Sequence, residues 1–138
     1  VKFIARRLIS QFGVWNLLFV SIALTGLRWY VMAAFADSFM VIVLSQLIHA
    51  LSFGLTHAVS VHFIHQFLPK AYHSRGQAVY ISVAFGLGGA FGNYMAGQQW
   101  QQGTNAYETF FTAAVFAIVG ALSLLLCSKK DMDESKAV

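Results

Sequence analysis

The chain has 138 residues, 58% of them hydrophobic and only 10% charged, with a formal net charge of +4. That composition is too apolar for an ordinary soluble domain. A single cysteine, Cys127, excludes an internal disulfide and any cysteine-based metal cluster. In so apolar a chain the basic excess points to membrane topology and anionic lipid rather than to nucleic acid.

The opening Lys2-Phe3-Ile4-Ala5-Arg6-Arg7 runs into Leu8 without a signal-cleavage signature, and the first residue is Val. The chain is expected to begin inside a longer protein. Four apolar runs follow: Val14 to Phe35, Phe39 to Phe67, Gln77 to Gly97 and Phe110 to Cys127. Each has roughly the 20 residues that cross about 30 Å of hydrocarbon. A backbone in lipid must satisfy its own hydrogen bonds, so the runs are predicted helices. The expected fold is all-α, a polytopic transmembrane helix bundle. The second run exceeds one span and should tilt or enter the headgroups.

The first run contains Arg28, followed by Trp29 and Tyr30. One reading is an interfacial belt with the arginine snorkelling outward. The other is an intramembrane cation facing a bundle interior, favoured because Val31 to Phe35 continue the apolar run. Its role would be to bind a carboxylate or pair with an internal acid.

On the second run Gln46, His49, Phe53, Thr56 and Ser60 recur every three or four residues and share a face, with Ser45 and Ser52 beside it. Gln46 and His49 are assigned to a cavity lining. The hydroxyls are assigned to packing between helices. His57 is set off the stripe, toward a neighbouring helix. His62 and His65 approach the cytoplasmic end, and His73 falls in a loop. A haem or metal site is disfavoured, because all the intramembrane histidines share one helix and no Cys or Glu stands near. No cofactor is expected.

The third run is glycine-rich. Gly88-x-x-x-Gly92 permits close helix contact, and Asn93 beside it faces either a cavity or a partner helix. Before it, Arg75 can hold headgroups or a neighbouring loop, and Gly76 suits a tight turn. After the fourth run, Asp131 to Val138 reads as a short, disordered, charged tail.

Lys2, Arg6, Arg7, Lys70, Arg75, Lys129, Lys130 and Lys136 all fall on one side if the spans alternate. The positive-inside rule then puts both ends in the cytoplasm. No serine–histidine–acid set, carboxylate pair or phosphate loop is visible, so an enzyme is not expected.

Arg28, Gln46-x-x-His49, Arg75-Gly76-Gln77-Ala78-Val79-Tyr80 and Phe85-Gly86-Leu87-Gly88-Gly89-Ala90 together resemble the last four helices of a major facilitator superfamily transporter. The branch they are most similar to is the 3-phenylpropionic acid transporter-like group, related to lactose permease. The resemblance covers Arg6 to about Lys130. It implies helices 9 to 12 of a twelve-helix fold, with Arg6-Arg7 and Phe12-Gly13 ending the basic loop before them. It also implies alternating access around a central cavity, usually with proton coupling. Arg28 resembles the family's helix-9 arginine, which in lactose permease belongs to the proton-coupling site, and His49 resembles the helix-10 histidine. Where that family member has a lysine three before the histidine and a glutamate three after, this chain has Gln46 and Ser52. Sugar specificity and the coupling route therefore do not carry over.

The resulting expectation is the C-terminal part of a bacterial inner-membrane secondary transporter, a proton-coupled symporter for a small organic anion or aromatic acid. Its expected partners are that substrate, protons, lipid and the N-terminal helices of the same transporter, with no nucleic acid. Arg28, Gln46, His49, Phe53 and Asn93 are the candidate binding or coupling residues. The alternatives are a self-contained four-helix membrane subunit and a truncated, inactive transporter.

Overall fold

The computed structural model describes residues 2–134, with side chains from Arg6 onward. The side chain of Lys2 and residues 135–138, which include Lys136 and the end of the expected tail, lie outside the described residues. The described elements are all helical: α1 (Lys2–Phe12), α2 (Val14–Phe35), α3 (Phe39–Phe67), α4 (His73–Ile81), α5 (Gly88–Trp100), α6 (Ala106–Ser123) and α7 (Lys129–Glu134). This is the all-α class that the apolar runs predict.

The breaks between helices follow from local chemistry. Gly13, at φ +77°, turns the chain between α1 and α2 in a conformation that costs other residues dearly. Ser38 caps α3, its Oγ accepting from the Val41 N–H at 3.4 Å. Pro69 forces Leu68 out of helical geometry, to φ −100° and ψ 145°, and so ends α3. A 3₁₀ turn, Lys70–Tyr72, leads into α4. Gln101, Gln102 and Gly103 all have positive φ and reverse the chain after α5.

Helix α2 is the centre of the bundle, with α3 packed along one side and α6 along another. Small residues allow both approaches. A Cβ at Gly26 would come within 2.7 Å of Ile118 Cδ1 on α6. On the other side Ser21, Ser45 and Ser52 are buried along the α2–α3 seam. There the Thr56 hydroxyl donates to Ser21 Oγ at 2.8 Å, and the Ser45 hydroxyl donates to Met32 Sδ at 3.1 Å. In hydrocarbon, such close packing and hydrogen bonding replace the hydrophobic drive that lipid removes.

The tightest apolar cluster, Val14, Leu17, Leu18 and Val59, lies at one end, with Leu8 and Ile9 of α1 and Met132 of α7 against it. Elsewhere large apolar side chains point outward: Phe39 is 78% exposed and Leu87 is 70% exposed. A soluble protein could not carry that surface. By length and composition, Val14–Phe35, Phe39–Phe67 and Ala106–Leu126 can cross a membrane.

Several expectations require revision. The glycine-rich run, predicted as one helix, starts upstream at His73 and is interrupted by a π-helical segment, Ser82–Leu87, before α5. The widened turn is closed by the Gly88 N–H donating to Val83 O, five residues back. Gly92 makes no close approach, since a Cβ there would meet nothing within 4 Å, and Gly88 nears only the carbonyl of Val83 in its own segment. Close contact instead occurs at Gly76, inside α4 rather than in a turn. A Cβ there would lie 2.5 Å from Leu68 and 2.8 Å from Ile64 of the α3 end.

The basic segment expected to close a loop, Arg6 to Phe12, is part of helix α1. The expected disordered tail begins as helix α7, docked on the bundle. Asp133 Oδ1 accepts from the Trp15 N–H at 3.0 Å, and Asp133 O accepts from Gln66 Nε2 at 3.2 Å. Trp15 Nε1 donates to Leu124 O at 2.9 Å, tying α2 to the end of α6.

Candidate functional site

Arg28 is only 4% exposed. Its guanidinium lies over the ring of Trp29, 4.0 Å from the centroid, and Trp29 in turn stacks on Phe110 of α6 at 5.7 Å. Arg28 Nε is buried and has no hydrogen-bond partner among the described residues. The acids of the chain stand elsewhere: Asp37 in the α2–α3 turn, Glu108 at the start of α6, and Asp131, Asp133 and Glu134 in α7.

The Arg28 side chain is enclosed within the bundle rather than directed outward. Ser21, Thr25, Arg28 and Met32 follow one line along α2, and Ser21 and Met32 both touch α3. Those two contacts also set the register of the antiparallel pair. In that register Arg28 of α2 stands level with His49 of α3.

His49 is half-buried, and its Nδ1 is enclosed with no hydrogen-bond partner among the described residues. Its ring lies 5.5 Å from Phe53. Phe53 continues the line to His57 at 6.4 Å, and both meet Phe85 of the π-helical segment, at 5.6 and 6.1 Å. Tyr80 of α4 completes the group, 5.8 Å from His57 and from Phe85. His57, set toward a neighbouring helix, does face one, and its Nδ1 is likewise buried and unpartnered.

The candidate residues therefore divide. Arg28 is buried on α2 at the level of His49, and the half-buried His49 begins an aromatic group on α3 with Phe53. Gln46 is exposed at the edge of the α3 seam, and Asn93 is exposed on α5, apart from both. Ser45, Ser52 and Thr56, assigned to packing, are packed against α2 or bonded within α3. Tyr80 and Phe85 were not singled out from sequence. The four-residue spacing of His49, Phe53 and His57 was the available signal, since it marks an aromatic line needing a partner.

Chemically, the arrangement can hold a carboxylate at a desolvated guanidinium, exchange a proton at imidazole, and stack a flat ring. Among the described residues no cluster of His, Cys, Asp or Glu could hold a metal ion. The apolar clefts also lie elsewhere. One of about 370 Å³ runs between α2 and α6, past Gly26 and Ile118. Another of about 280 Å³ lies between α5 and α6, past Gly92 and Phe116.

Helices this apolar and this exposed define a membrane-embedded helical protein. The model of the MFS_1 like family matches residues 1–113. The chain belongs to that family, one of major facilitator membrane transporters rather than enzymes. A maltose permease of Geobacillus stearothermophilus is similar, with 31% identity over 130 residues, which covers 92% of this chain and 32% of the permease. The chain thus spans about a third of that relative's length. No solved structure matches.

Proposed function

We propose that the chain is the C-terminal part of a proton-coupled secondary transporter for a small organic anion, in the manner of the 3-phenylpropionic acid transporter-like branch. In this reading α4, the π-helical segment and α5 together make a fourth membrane crossing. Both ends face the cytoplasm of a bacterial inner membrane, and the remaining helices come from the same transporter.

The observation that carries the reading is Arg28: a buried guanidinium, level with His49, with no acid beside it. A cation kept in a membrane interior needs a counter-charge. A substrate carboxylate supplies one, and so does an acid on another helix of the full transporter. Phe53 and its aromatic neighbours suit the ring of an aromatic acid. His49, whose ring nitrogens can take up or release a proton, is the proposed proton carrier. Alternating access then exposes this region to each side in turn, with the π-helical segment as the place where the α4–α5 crossing bends.

A second reading, uptake of a neutral disaccharide, is favoured by the relative's name. Aromatic faces stack on sugar rings as well as on arenes, and Arg28 would then serve an internal acid. Uptake of labelled 3-phenylpropionate and maltose by cells making the full-length transporter separates the two. Arg28→Ala is expected to abolish uptake of the acid by at least about a hundredfold, as loss of a desolvated charge-assisted pair implies, with membrane insertion unchanged. Normal uptake by that variant would overturn the central role of Arg28. Maltose uptake without acid uptake would establish the second reading.

A further inference from the structure

One cleft borders the candidate site only at Tyr80 and otherwise runs away from it. It has a volume of about 620 Å³, within the range of small-ligand sites, and it opens between the C-terminal third of α3 and α4. Its walls are almost wholly apolar, with Phe63, Ile64, Phe67 and Leu68 from α3 and Val79 from α4. The cation among its lining residues is Arg75.

The position in the membrane follows from length. Helix α3 has 29 residues, about nine more than the roughly 20 that span the hydrocarbon. With Phe39 at one boundary, Ser60 onward reaches the opposite headgroup layer. The cleft therefore stands where acyl chains meet headgroups.

The charge around its mouth has one sign. Arg75 is exposed, with its guanidinium 5.8 Å from the Tyr72 ring centroid, and Lys70 is exposed in the preceding 3₁₀ turn. No acid occurs between Ser60 and Tyr80. The mouth is also built rather than loose. His65 and His73 stack at 4.2 Å, Gln77 hydrogen-bonds His65, and His73 Nε2 meets Leu68 O at 2.9 Å. These contacts, with Gly76 close against Ile64, hold the start of α4 to the end of α3.

We propose that this cleft binds one anionic phospholipid of the cytoplasmic leaflet. Arg75 and Lys70 hold the phosphate, and the upper acyl chain lies along Phe63, Ile64 and Val79. An apolar trough beneath an unpaired guanidinium fits an amphiphile with a negative head, and neither a neutral lipid nor a soluble anion uses both parts. The assignment rests on the cytoplasmic placement of Lys70 and Arg75 proposed above, not on the identity of the transported substrate.

The test is native mass spectrometry of the purified full-length transporter titrated with phosphatidylglycerol and with phosphatidylcholine. Near a membrane surface each basic residue favours an anionic lipid by roughly fivefold, so phosphatidylglycerol adducts should dominate by about an order of magnitude. Arg75→Gln should remove about fivefold of that preference. Val79→Trp, which fills the trough, should lower phosphatidylglycerol binding while leaving the Tm in place. In a separate Tyr72→Trp variant, at the mouth of the cleft, the added tryptophan should be quenched by brominated phosphatidylglycerol. Equal binding of the two lipids, or unchanged preference in Arg75→Gln, overturns the proposal. So does an unquenched Trp in a folded Tyr72→Trp variant, which would place another helix of the transporter in the cleft. Labelling of a Lys70→Cys variant by an impermeant reagent from the outside would instead overturn the orientation.

Discussion

Replacing Asp133 by Ala removes the one side-chain cap found at the start of α2 among the described residues. Gly13, at the cap position, has no side chain to offer. The Trp15 N–H is one of the donors that a helix leaves free at its start, and it donates to Asp133 Oδ1 at 3.0 Å. The fit is tight, since a Cβ on Gly13 would fall 2.7 Å from Asp133 Oδ2. The site is also half-buried, beside Val14 at 1% exposure. Loss of a helix cap costs about 0.5–2 kcal/mol, and loss of a carboxylate from the positive end of the helix dipole adds about 0.3–1 kcal/mol. Asp133→Ala should therefore destabilise by about 1–3 kcal/mol, and Asp133→Asn by the smaller charge part alone. The measurement is reversible unfolding of the purified full-length protein in mixed micelles. Exposed Asp131, on the same short helix, is the control: Asp131→Ala should stay within about 0.5 kcal/mol of the parent. If Asp133→Ala and Asp131→Ala unfold alike, α7 does not cap α2.

Two further outcomes follow from the seams of α2. A double-mutant cycle on Ser21→Ala and Thr56→Ala, read by the same unfolding assay, should give a coupling of about 0.6 kcal/mol and no more than about 1.7 kcal/mol, the range for hydrogen bonds between membrane helices. At Gly26, Ala should be tolerated, because the atom it meets is the far end of the flexible Ile118 side chain. Gly26→Leu should overpack the α2–α6 contact and cost about 1–3 kcal/mol, seen as a lower Tm and poorer yield.

Much of the architecture was readable because lipid imposes simple rules. Long apolar runs between charged turns announced helices α2, α3 and α6. Arg28 stood out because a lone cation in an apolar run is costly wherever it sits. The glycine-rich run misled in part. Gly88 and Gly92 have contact spacing, but spacing cannot say whether a neighbour is there, and the close approach falls at Gly76. The π-helical segment leaves no signature in spacing, since one widened turn shifts every later residue without changing composition. Helix α7 was hidden for the opposite reason. Its charged sequence resembles a solvated tail until Asp133 finds the bare start of α2, more than a hundred residues earlier.

The sequence by itself determined the class of structure, the helices that can cross a membrane, and the identity of its one intramembrane cation. These depend on hydropathy and backbone hydrogen bonding, which act within a single segment. Tertiary structure alone decided that Arg28 is buried against Trp29, that the α2–α3 register brings it level with His49, and that Tyr80 and Phe85 extend the aromatic line of α3. Those outcomes depend on the register of two packed helices, set by Ser21 against Thr56 and Met32 against Ser45. Register is a relation between segments that no one segment encodes.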